Sequence, residues 1–212
     1  MRRAVLFDVD GVLVHSFGHS DSARRRRWDQ HLLEDLGVSP ADFSAFFKTG
    51  FDAVVTGRQS LVTALDAFLP TLGYTGRTLD FIGYWLARDT NLNLQLLDIV
   101  KALRASGAAD IYMATNQEHL RAHHLWHELR LSHLFDDMFY AARLGAMKPD
   151  RAFFEAVAER LGPQDKKPLL FDDSAAVVDA ANAFGWEGVL FEDVGDCRDH
   201  EWVASHLENI IA

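Results

Sequence analysis

The feature that most constrains this chain is a set of short apolar runs, each stopped by a polar or acidic residue. Ala4-Val5-Leu6-Phe7 precedes Asp8, Ile111-Tyr112-Met113-Ala114 precedes Thr115, Leu169-Leu170-Phe171 precedes Asp172, and Gly188-Val189-Leu190-Phe191 precedes Glu192. Such runs lack the alternation of a half-exposed strand, so both faces must be covered, as in a parallel sheet between layers of helices. Met138-Phe139-Tyr140-Ala141 is a weaker fifth candidate. Between the later runs the apolar spacing is helical: Leu94, Leu97 and Leu103 before Gly107; Leu120, Leu125 and Leu129 after Asn116; Phe153, Phe154, Val157 and Leu161 before Gly162; and Ala176 to Phe184 before Gly185. Pro149 sits near the first position of the third of these helices, and Gly162-Pro163 lies past its end. Strand then helix, repeated, predicts an α/β fold of right-handed βαβ units with a Rossmann-like parallel sheet core.

Residues 17–91 break this rhythm with several amphipathic helices and no strand-like run. Trp28, Leu32, Leu33 and Leu36 form one apolar stripe ending at Gly37; Leu61, Val62, Leu65, Phe68 and Leu69 form another ending near Pro70; Leu79, Ile82, Trp85 and Leu86 form a third. Gly50 and Gly57 suggest a turn between helices. The expected division is a core domain of residues 1–16 and 92–212 with a helical cap of residues 17–91 inserted after the first strand. The chain has 212 residues, 49% of them apolar and 25% charged, enough to bury a core. Its formal charge of 21 − 31 = −10 repels polyanions, which argues against nucleic acid or an anionic membrane as partner. No apolar stretch approaches about 18 residues, the run after Met1-Arg2-Arg3 is too short for a signal peptide, and Cys197 is the one cysteine, so a cytoplasmic location is the expectation.

Ligands of an open α/β sheet bind at the carboxyl ends of its strands, where Asp8-Val9-Asp10-Gly11 directly follows the first run. Alone, such a pair usually satisfies loop amides. Asp172-Asp173-Ser174 ends another apolar run, however, and four converging carboxylates repel one another unless a cation joins them. Oxygen donors without His or Cys suit a hard ion such as Mg²⁺, which keeps waters and shares its coordination with a phosphate. Thr115-Asn116 offers a hydroxyl and an amide to phosphoryl oxygens, the helix that follows adds free backbone N–H groups, and Lys148 adds a compact positive charge.

In that order, Asp8-Val9-Asp10-Gly11-Val12, Thr115-Asn116, Lys148-Pro149 and Asp172-Asp173 resemble the haloacid dehalogenase superfamily of hydrolases across almost the whole chain. The helical stretch after the first motif is similar to the subgroup with an inserted helical cap. Phe171-Asp172-Asp173-Ser174, followed by Asn182 and Gly185, is similar to its sugar-phosphatase branch. The resemblance implies five parallel strands with the first central and the second and fourth beside it. It also implies Asp8 as nucleophile, Asp10 as general acid and then base, and Thr115 and Lys148 holding the phosphoryl group. Asp8, the Asp10 main-chain carbonyl, Asp172 and Asp173 would place Mg²⁺. Crowding by like charges suggests a raised pKa for Asp10. The implied activity is hydrolysis of a small phosphorylated metabolite, a sugar phosphate being favoured, through an aspartyl phosphate.

A phosphomutase would use the same intermediate, and a non-catalytic module could keep the same scaffold. The dehalogenases of the superfamily fit less well, because they carry no acid at the position of Asp10. His119, His123 and His127 recur every four residues and read as a solvated or partly packed face rather than a metal site. His15 and His19 stand where the chain enters the cap and could touch substrate. Arg24 to Arg27 reads as a solvated face paired with Asp21, Asp29 or Glu34. Trp28, Trp85, Phe43, Phe46 and Phe47 read as cap core. Hinges are expected near Ser16 and near Asn91 to Asn93. Oligomeric state is not set by these features.

Overall fold

The computed structural model describes residues 2–15 and 27–211. His19, Ser16 and Arg24 to Arg26 therefore lie outside the described residues. Five strands, β1 (Arg3–Phe7), β2 (Ala109–Thr115), β3 (Asp137–Tyr140), β4 (Leu169–Asp172) and β5 (Glu187–Leu190), form one parallel sheet in the order β3-β2-β1-β4-β5. The weak fifth run is thus an edge strand, and β1 is central.

Residues alternate between the two faces of β1, and each face has its own helical cover. Val5 and Phe7 join Ile111, Met113, Leu169 and Phe171 in a cluster closed by Leu96, Leu97, Val100 and Leu103 of the Leu94–Ser106 helix. Ala4 and Leu6 join Ala114, Phe139 and Leu170 in a second, closed by Phe153, Phe154 and Val157 of the Arg151–Leu161 helix and by Val177 and Ala181 of the Ala175–Phe184 helix. Every β1 residue is buried, which explains its unbroken apolar run.

Between β1 and β2 the helices Leu32–Leu36, Pro40–Phe43, Ala45–Lys48, Phe51–Val55, Leu61–Phe68 and Thr78–Arg88 pack a separate cluster. At its centre, Phe43 lies 5.6 Å from Phe46 and 4.9 Å from Phe81, and Trp28 stacks on Trp85 at 5.3 Å. Two expectations need correction. Gly50 and Gly57 flank a short helix rather than marking one turn; both take positive φ and so stop the chain at either end of Phe51–Val55. Leu33 faces solvent, because neighbours on a helix point about 100° apart and Leu32 takes the inward position.

The chain re-enters the sheet through a clasp. Val14 bridges Leu92, the His15 amide donates to the Asn91 carbonyl (2.9 Å) and the Asn93 amide to that of Leu13 (2.8 Å). The buried Asn93 side chain donates to the Val12 carbonyl at 3.1 Å and accepts from the Leu96 amide, capping the Leu94–Ser106 helix. Among the described residues no helix is long and apolar enough to cross a membrane.

Candidate active site

Parallel pairing in register sets the first distances. Phe7 lies opposite both Met113 and Phe171, so the next residue along β1, Asp8, leaves the sheet beside Asp172; the Asp8 amide donates to the Phe171 carbonyl at 2.9 Å. The chain then folds tightly back on itself, with the Gly11 amide bonded to the Val14 carbonyl at 2.8 Å. Gly11 has φ +88°, and a Cβ there would overlap the Asp173 carboxylate. Only glycine satisfies both conditions.

Asp8, Asp172 and Asp173 each present a carboxylate oxygen, and these atoms lie within 4.8 Å of one another. Lys148 enters from the loop before the Arg151–Leu161 helix. Its side chain is 2% exposed, and its Nζ lies 2.9 Å from Asp8 Oδ1 and 2.5 Å from Asp172 Oδ2. Burial would lower the Lys148 pKa, but Asp8 and Asp172 outweigh it and hold the ammonium charged. Burial pushes the Asp8 carboxyl up to about 7, against the pull of Lys148 and with the help of Asp172 and Asp10. Asp173, at the rim, is pushed up to about 6 by desolvation and by the Asp172 charge. Three oxygen donors this close, short of positive charge and beside a glycine that leaves them room, fit a hard divalent cation.

Three expectations change around this cluster. Asp10 does not have a raised pKa. Burial would raise it, but Arg121 outweighs this, donating two 2.7 Å bonds to its oxygens, with a third bond from Gln117 at 2.5 Å. Its carboxylate therefore stands apart from the three-acid cluster, leaving the main-chain carbonyl as the atom the resemblance assigns to the metal. The Asn116 side chain does not face the cleft as a free donor. It is spent on the main chain of Lys148, donating to the carbonyl and accepting from the amide at 2.8 Å each, and so fixes the lysine loop. The helix N-terminus after Thr115 is also not free, since the Glu118 carboxylate accepts from the amides of Leu120 and Arg121. Thr115 ends β2, buried, with its hydroxyl accepting from Gln117 Nε2 at 3.3 Å.

Arg121 and Gln117 belong to no motif in the sequence. Gln117 stands in the loop before the His119–His123 helix and Arg121 within it; they touch one another at 3.1 Å and both bond Asp10. The Arg121 guanidinium also reaches Asp89, just past the Thr78–Arg88 helix, at 3.0 Å, and Asp89 accepts from Trp85 Nε1 at 3.2 Å. A buried cation thus ties the acid after β1 to the end of the inserted helices. Beyond Asp10 a cavity of about 600 Å³ runs between this group and the inserted helices, with Arg27, paired to Asp29 at 3.0 Å, and His15 also on its wall. His123 and His127 lie with ring centres 4.5 Å apart and tilted, and His119 meets the Tyr140 hydroxyl at 3.3 Å; no histidine joins a metal-competent cluster among the described residues.

A family profile described as haloacid dehalogenase-like hydrolase matches residues 2–185. A GMP/IMP nucleotidase of Escherichia coli is 35% identical over 42% of this chain and 40% of its own, so the match spans less than half of that relative's length. A fructose-1-phosphate phosphatase of the same organism is 24% identical over 87% of this chain and 94% of its own. Among solved structures, a haloacid dehalogenase family enzyme of Bacteroides thetaiotaomicron, in complex with magnesium and inorganic phosphate, superposes with a TM-score of 0.70 at 16% identity, covering 90% of this chain and 94% of that one.

Proposed function

Given that the chain belongs to the haloacid dehalogenase-like hydrolases, we propose that it is a Mg²⁺-dependent phosphatase releasing a small alcohol from its phosphate monoester through an aspartyl phosphate on Asp8. The convergence of Asp8, Asp172 and Asp173 within 4.8 Å around the buried Lys148 carries this reading. The relatives named for a nucleotide and for fructose 1-phosphate, and the structural neighbour holding magnesium and phosphate, support it.

Asp8, Asp172, Asp173 and the Asp10 carbonyl would hold the ion, which supplies positive charge where a carboxylate must approach a phosphate dianion. An Asp8 oxygen attacks phosphorus in line, exchanging one hard displacement for two easier ones. Lys148 Nζ and the Thr115 hydroxyl offset charge on the phosphoryl oxygens. Asn116 acts at one remove by fixing the Lys148 main chain. Asp10, paired with Arg121, is ionised, the form that takes a proton from water in the second step. To protonate the leaving oxygen in the first step it must first part from Arg121 and take up a proton from water, which it then gives to the alcohol as the P–O bond breaks. A sugar phosphate, which the resemblance favours, would follow the same steps.

Phosphate release from p-nitrophenyl phosphate should require Mg²⁺ and stop with EDTA. Asp8→Asn should be inactive with an unchanged circular dichroism spectrum; an active variant shown free of deamidation would remove the covalent route. Transfer of phosphate to an added sugar rather than to water would mark a phosphomutase. No release under any condition would mark a binding module.

A further inference from the structure

The cavity beyond Asp10 is built unevenly. Its wall on the inserted helices is apolar, with Phe43, Phe47, Phe51, Val55 and Trp85 side by side. Phe47 meets Phe51 at 5.0 Å and Trp85 at 5.5 Å, both edge to face, so the rings form one aromatic cluster, and Phe47 is still 39% exposed. The sequence spacing explains burial of most of these rings but not an aromatic side chain left partly exposed on the cavity that Asp10 also lines. Hydrogen-bonding groups on that wall are few and occupied: the Ser44 hydroxyl donates to the Ala41 carbonyl at 2.6 Å. The charged residues on the cavity are paired with one another, Arg121 with Asp10 and Asp89 and Arg27 with Asp29, while the Arg121 Nε is buried without a partner among the described residues.

Resting on the phosphatase reading above, we propose that the alcohol released is apolar, an aryl or long alkenyl group, rather than a sugar. The phosphoryl group would sit at Asp8 and Lys148, the bridging oxygen near Asp10, and the hydrocarbon against Phe47, Phe51 and Trp85. An apolar alcohol gains from leaving water at this wall. A sugar can lay one face on a ring, but against Phe43, Phe47, Phe51, Val55 and Trp85 its hydroxyls lose water where the wall offers no free polar group in return.

The test compares kcat/KM with Mg²⁺ for geranyl phosphate, 1-naphthyl phosphate, fructose 1-phosphate and glucose 6-phosphate. Acetyl phosphate serves as a probe whose leaving group is too short to reach the wall. The apolar esters should exceed both sugar phosphates by about tenfold or more, mainly through KM. Phe47→Ser should cut that ratio about tenfold, and Phe47→Leu should restore most of it. In Asp8→Asn protein, geranyl phosphate should change tryptophan fluorescence at lower concentration than glucose 6-phosphate, since Trp28 and Trp85 border the cavity. Acetyl phosphate turnover together with sugar phosphates handled as well as the apolar esters overturns the apolar assignment alone. Failure to release phosphate from all five compounds overturns the phosphatase reading and this assignment with it.

Discussion

Replacing Arg121 by methionine keeps the length of the side chain and removes its charge. The wild-type guanidinium donates two 2.7 Å bonds to Asp10 and lies 3.0 Å from Asp89. Its side chain is 8% exposed, that of Asp89 22% and that of Asp10 47%. Removing one partner of a fully buried pair costs about 3–5 kcal/mol. Water at the open side of Asp10 takes over part of its charge, so the lower end, about 3 kcal/mol, is expected, or about 6–12 °C in Tm for a chain of this size. Burial already holds Asp89 above the ordinary carboxylate range, with Arg121 pulling the other way, so the variant raises it further. A carboxyl whose folded pKa is raised costs stability above that pKa, and the cost fades as pH falls through it towards the unfolded value. The deficit of Arg121→Met should therefore be larger at pH 7.5 than at pH 5. Urea unfolding followed by tryptophan fluorescence at both values measures it. Since Arg121 acts through Asp10, kcat should fall about 100-fold with little change in KM. A variant within about 0.5 kcal/mol of wild type at pH 7.5, or a gap that widens at pH 5, would refute the buried-cation account.

Gly11→Ala must hold φ +88° and push its Cβ into Asp173; a loss of about 1–2 kcal/mol and weaker Mg²⁺ binding by calorimetry are expected. Asn116→Ala frees the Lys148 main chain, so kcat should drop at least tenfold while stability falls by about 1–2 kcal/mol, measured by steady-state kinetics and thermal melts. Asn93→Ala removes a helix cap and leaves the buried Val12 carbonyl short of a donor, for an expected loss of about 2–3 kcal/mol in urea unfolding.

The central strands were legible because β1 and β4 are buried on both faces, which writes burial into four or five consecutive residues; the edge strands left readable apolar runs although β3 is buried only in its middle and β5 is partly exposed throughout. Asp8, Thr115 and Asp172 were legible as site candidates because each directly follows or ends such a run. The pairing of Arg121 with Asp10 was not, since 111 residues separate them and a lone arginine on a short helix reads as a surface charge. Asn116 looked like a phosphate ligand because its residue type suits that task; only the approach of the Lys148 loop shows where its amide goes. The aromatic residues of the inserted helices carried the spacing of a core, and most are buried. Nothing in that spacing distinguishes a ring sealed in the cluster, such as Phe43, from one left half open at a cavity, such as Phe47.

Local patterns of apolar and acidic residues by themselves determined the sheet, its parallel character and the acids at its carboxyl edge, because a buried strand and its end are properties of a few adjacent residues. The partner of Asp10, the task of Asn116 and the chemistry of the cavity wall were decided only when distant segments closed on one another. Those depend on which charges and rings are left facing each other after packing, and no short stretch of chain carries that information.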